Sequence, residues 1–137
     1  MYISQIKWPQ NRDEKVKLYL SFMVKSVEKL NIKFPDKLAD PIYIAHEFLG
    51  NNIQEKDYSR YADEYWNYID TRNAVQEFKE RDVLAARLGI CLLSANRNLD
   101  EVSYGLAWFF EVLDYLKINL EPHRKLMREH FEFTNVE

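Results

Sequence analysis

Few side chains in this chain are equipped for chemistry: His46, His123 and His130, the single Cys91, and Arg87, alone in an apolar run. Metal ligation needs several donors converging at helical i, i+3 or i+4 spacing, or a pair of cysteines. His46 and Glu47 are neighbours and fall on different helical faces, while His123 and His130 stand seven apart with no third ligand. No metal or cofactor site is predicted, and the histidines are expected at the surface or as helix caps. HExxH, CxxC, GxSxG and Gly-rich phosphate loops are absent from the sequence. One catalytic spacing remains, Arg124 and His130, separated by five residues in RKLMREH. There an arginine would stabilise phosphate charge and a histidine would act as general acid or base. A buried Arg87 requires a carboxylate, and Glu111 or Asp114 is the expected partner of an internal ion pair. An anion-binding pocket is the other reading of Arg87.

Recognition of a partner has a better substrate in residues 57–70. Wound at about 100° per residue, Tyr58, Tyr61, Ala62, Tyr65, Trp66, Tyr68 and Ile69 share one arc, and the rest of the circumference is polar. The predicted partner-binding residues are Asp57, Arg60, Asp63, Glu64, Asn67 and Asp70, with Tyr61 and Tyr68 at the rim. Tyrosines bury their rings and keep hydroxyls at an edge, and acidic groups speed association with a basic partner. The plainer reading makes the aromatics core and the acids a solvated face.

These residues must be positioned by helices. Pro9 forces Trp8 out of the helical region, and Asn11 or Asp13 then caps a first helix reaching about residue 30. Its stripe is Val16, Leu20, Met23, Val24, Val27 and Leu30, with Lys17, Lys25 and Lys29 turned away. Leu18 and Phe22 fall off the stripe and either touch the N-terminal arm or form an exposed patch. Asp40, Pro41 and Gly50 punctuate a second helix. The 57–70 helix is third, and a fourth runs over about 74–93. A fifth covers 99–118, capped by Asn98 with Glu101 in capping-box spacing. Apolar almost all round, the fifth is expected at the centre. A short sixth begins at Glu121-Pro122 and ends near Phe133, beyond which the tail frays. Gly89 and Gly105 each cost about 1 kcal/mol relative to Ala inside a helix. They are read as the point where 74–93 and 99–118 cross closely in an antiparallel hairpin. The expectation is an all-α, single-domain bundle (1–137) of about six helices around that hairpin.

Composition agrees. Of 137 residues, 47% are hydrophobic and 15% aromatic, which excludes disorder, and only 3 Gly and 4 Pro argue against a turn-rich β fold. The net charge is −3, which makes nucleic acid a poor default partner. It is unevenly spread: 8 Lys/Arg against 4 Asp/Glu through residue 37, then 11 against 18. No stretch is apolar enough to span a bilayer. One cysteine allows no internal disulfide, and the opening MYISQIKW has no basic segment followed by an apolar one. A cytoplasmic protein is expected.

Two family resemblances follow from these features. RKLMREH resembles the R-x4–6-H motif of HEPN-type ribonucleases, which implies RNA cleavage by Arg124 and His130 of paired subunits. The chain departs from that pattern at Lys125, and its acidic body suits RNA poorly. As a whole, a small, acidic, all-helical, motif-free chain resembles the immunity proteins of bacterial polymorphic toxin and contact-dependent inhibition systems. Such proteins bind one cognate toxin domain, often a basic nuclease, and block it. That resemblance implies a non-enzymatic inhibitor with no cofactor, a toxin domain as partner, and no direct contact with nucleic acid or membrane. A non-enzymatic helical regulatory or scaffold domain is the third class.

Overall fold

A computed structural model describes residues 2–71, 81–97 and 99–134. Six α-helices follow in order: α1 (Arg12–Val27), α2 (Pro41–Leu49), α3 (Glu55–Thr71), α4 (Arg81–Leu93), α5 (Val102–Tyr115) and α6 (Glu121–His130). Single 3-10 turns occupy Ile3–Gln5 and Leu99–Glu101. No β-strand occurs among the described residues, so the all-α expectation holds. Buried side chains from all six helices form one cluster.

Local chemistry sets most helix ends. Asn11 caps α1 by accepting from the Glu14 N–H at 3.0 Å, and Asp40 caps α2 by accepting from Ile42 N–H at 3.0 Å. Past α2 the Asn51 N–H reaches the Phe48 carbonyl and the Asn52 N–H reaches that of Glu47, a Schellman closure. The residue in the left-handed region there is Asn51 (φ 60°), not Gly50 (φ −84°). A second Schellman closure stops α5 at Tyr115, three residues short of the expected end. Lys117 turns left-handed (φ 62°), and Lys117 and Ile118 donate to Asp114 and Leu113. At its start α5 follows a 3-10 turn, and Glu101 is its N-cap without a side-chain cap bond. The expected capping residue Asn98, like residues 74–80 of the expected fourth helix, lies outside the described residues.

The centre is α4 rather than α5. Every residue from Val83 to Leu93 is buried, and α4 packs on α3, α2, α5 and α1. By contrast α5 leaves Tyr104 82% exposed and Tyr115 half exposed, so its far side faces water. The two helices do pack together, yet their glycines do not meet. A Cβ on Gly89 would lie 2.5 Å from the Tyr65 ring of α3; one on Gly105 would lie 2.5 Å from the Tyr19 hydroxyl of α1. Each glycine seats a tyrosine from a third helix.

Off-stripe Phe22 is wholly buried, ringed by Phe109, Phe110, His130 and Phe131. The helix α1 is therefore covered on two sides, by α2 and α4 and by α5 and α6. The tail does not fray at 133. Lys7 N–H donates to the Glu132 carbonyl at 2.8 Å and Thr134 N–H to that of Gln5 at 2.7 Å, clipping the segment before α1 to the segment after α6.

Candidate partner-binding face

Two tyrosines lock the inner side of α3. Tyr58 donates its hydroxyl to the Leu92 carbonyl at 2.6 Å and accepts from the Ala95 N–H at 3.1 Å. Its ring stacks on Phe48 at 4.0 Å. Two turns on, Tyr65 lies over Gly89 and donates to the Ala39 carbonyl at 2.7 Å. Burial raises the pKa of both phenols, so each stays protonated and able to donate. Ala62 and Ile69 complete the buried stripe.

The six polar residues assigned to this face lie along the outer side of α3. Arg60, Asp63, Glu64, Asn67 and Asp70 are exposed; Asp57, Tyr61 and Tyr68 are half-buried at the rim, as expected from the helical arc. Arg60 reaches toward Asp57 (3.5 Å) and lies over the Tyr61 ring at 5.3 Å. Tyr68 donates to Asp82 Oδ2 at 3.0 Å. Asp63 accepts from Arg97 at 3.0 Å, and the same arginine donates to the Ser59 carbonyl. Glu64 and Asp70 form no ion pair among the described residues and are available to a partner.

Sequence reasoning missed the flanks of this face. Glu55, at the start of α3, accepts from Arg12 Nη1 and Nη2 (3.1 and 2.7 Å) and from Asn96 at 3.0 Å. The hydrogen bond from Arg12, then that from Asn96, holds the Glu55 carboxyl below its usual range. Trp66, assigned to the apolar arc, is 38% exposed at its edge. With Tyr104, Trp108, Arg97 and Glu101 it lines a groove of about 330 Å³. Only the position of Trp66 at the end of the arc hinted at this; Arg97 and Asp63 are 34 residues apart.

The other candidates are not drawn into this face. Arg87 is buried, and burial lowers its pKa. Its expected partners are not where they were placed. Glu111 and Asp114 are exposed and form no ion pair with it, because Phe109, Val112 and Leu113 occupy the buried side of α5. Cys91 is buried, its thiol pushed up to about 12 by desolvation, and so is a poor nucleophile.

Only His46 is the surface histidine expected, 3.2 Å from Glu28. His123 is buried and bonded to Ser26, and His130 is half-buried against α1. A carbonyl can only accept, so His130 Nε2 donates to the Leu18 carbonyl at 3.0 Å, while Nδ1 faces Lys25 Nζ at 3.4 Å. Burial lowers the His130 pKa, and Lys25 adds to the effect. Arg124 is exposed and bonded to Glu121 at 2.7 Å, with no hydrogen bond to His130. Among the described residues no group of three or more His, Cys, Asp or Glu could hold a metal ion, and no helix is long and apolar enough to cross a membrane.

Comparison of the chain with protein-family models, curated protein sequences and solved structures gave no match.

Proposed function

We propose that this protein is a cytoplasmic immunity protein: it binds one cognate bacterial toxin domain, a basic nuclease, and covers its active site or substrate face. The observation that carries this reading is the outer face of α3. The helix carries five carboxylates against Lys56 and Arg60, and Tyr58 and Tyr65 fix the helix that presents them. Glu55, Asp57 and Asp63 also meet Arg12, Arg60 and Arg97, which leaves Glu64 and Asp70 without an ion pair among the described residues. A preorganised face loses little conformational freedom when a partner docks. Carboxylates standing in for phosphates would occupy the cationic groups with which a nuclease holds its substrate. Half-buried Tyr61 and Tyr68, and the Trp66 edge, supply the aromatic contact area that concentrates binding energy in interfaces. Inhibition of this kind requires no turnover and no cofactor.

The test is co-expression with the polypeptide encoded immediately upstream. The reading predicts that this polypeptide alone arrests growth, that co-expression restores it, and that the two co-elute as a complex. Failure of both rescue and co-elution contradicts it.

A further inference from the structure

A second site lies away from α3. Between the C-terminal half of α1 and α6 there is a cavity of about 540 Å³, within the range of small-molecule pockets. Leu30, Ile118, Pro122 and Leu126 make its apolar walls, and Lys25, Lys29 and Lys125 stand around it. Lys29 and Lys125 form no ion pair among the described residues. Of the two acids that also line it, Glu28 is engaged by His46 and Glu129 is exposed.

His123 also lines this cavity and is only 5% exposed. Its Nδ1 lies 2.6 Å from Ser26 Oγ, and among the described residues that buried hydroxyl has no other hydrogen bond. If Nδ1 carried the proton, the serine hydrogen would be stranded in the interior. The arrangement that satisfies both groups has Ser26 donating to Nδ1, which places the ring proton on Nε2. Nε2 forms no hydrogen bond among the described residues, and His123 lines the cavity, so Nε2–H is the ring donor left for a ligand there. Burial lowers the His123 pKa, which keeps the ring neutral.

We infer that this cavity binds a small amphiphile with one anionic head, a carboxylate or phosphate monoester. The head accepts from His123 Nε2–H and is neutralised by Lys29 and Lys125, while its apolar body lies along Leu30, Ile118 and Leu126. Charge-assisted hydrogen bonds give the head its affinity. An apolar wall alone would accept an uncharged chain equally well, and lysines alone would accept free phosphate.

Calorimetric titration and nuclear magnetic resonance of the full chain test this with sodium octanoate, octyl phosphate, octyl glucoside and inorganic phosphate. Octanoate or octyl phosphate should bind saturably at one site and move the His123 Nε2 resonance. Octyl glucoside and inorganic phosphate should bind at least tenfold more weakly. The Lys29→Glu/Lys125→Glu protein should lose at least tenfold in affinity, and Ser26→Ala severalfold, each with an unchanged circular dichroism spectrum. Should the charge reversal not fold, Lys29→Gln/Lys125→Gln carries the same expectation. Absence of saturable binding by both anionic probes overturns the inference. So does equal binding of octyl glucoside or inorganic phosphate, or full affinity in a folded lysine variant.

Discussion

Helices α3 and α6 are both amphipathic, and they differ in how their inner sides are filled. α3 buries Tyr58, Ala62, Tyr65 and Ile69, and α4 supplies Gly89 as the seat for the Tyr65 ring. α6 buries only His123 and Met127, and a cavity of about 540 Å³ remains between it and α1. Their charge also differs. α3 is acidic, whereas α6 carries Arg124, Lys125 and Arg128 against Glu121 and Glu129. Where the inner side closes, only an outer surface is left for recognition, suited to a large basic partner. Where it stays open, a polar group at its floor can meet a small ligand.

The largest break in this comparison should come from Gly89→Ala. Its methyl would meet two Tyr65 ring carbons, 2.5 and 2.9 Å away, and overpacking of this kind costs about 1–3 kcal/mol, read from denaturant unfolding. Tyr65→Phe should not rescue it, because the ring itself is in the way. Gly105→Ala is the sharpening control. There the close contact is the Tyr19 hydroxyl alone, with the next atom at 3.5 Å, so Tyr19→Phe should recover most of the loss.

Tyr58→Phe is expected next. It removes the donor to the Leu92 carbonyl and the acceptor for the buried Ala95 N–H. Groups left without partners in an interior cost about 1–3 kcal/mol, visible as a lower unfolding midpoint.

On the α6 side the effect depends on pH. The folded-state pKa of His123 is depressed below its ordinary 6.5, so the unfolded chain binds more protons in acid. The stability this group supports is present above pH 6.5 and is lost as pH falls through the depressed folded value. His130 is depressed likewise. Thermal unfolding between pH 7.5 and pH 5 should therefore fall less steeply in His123→Gln than in the native protein, and no change in slope would refute this assignment. The smallest effect belongs to the outer face of α3. Asp63→Lys breaks an exposed pair with Arg97, and exposed pairs contribute about 0.2–1 kcal/mol.

The sequence pattern announces about six helices, the cap at Asp40, a cap at Asn11 or Asp13, and the division of α3, because each depends on neighbours within a turn or two. The division alone puts Asp63, Glu64, Asn67 and Asp70 in solvent and Tyr61 and Tyr68 at the rim, where the structure has them. What it missed involves partners distant in the chain. A helical glycine signals a close approach without naming what approaches, so the sequence pairs Gly89 with Gly105 where the fold brings in Tyr65 and Tyr19. Uniform apolarity likewise ranked 99–118 as the centre, although α4, with fewer aromatics, is the helix enclosed on all sides. The Ser26–His123 contact spans 97 residues, and a lone histidine among charged neighbours in EPHRK reads as a surface residue.

The central claim, that the closed helix recognises its partner through its acidic outer face, is tested most directly by one dissociation constant. The complex with the upstream-encoded polypeptide is to be titrated with native protein and with Asp63→Lys/Glu64→Lys. Loss of at least a hundredfold in affinity, with the unfolding midpoint nearly unchanged, is the predicted result. Equal affinity of the two proteins would contradict the account and move the interface off α3.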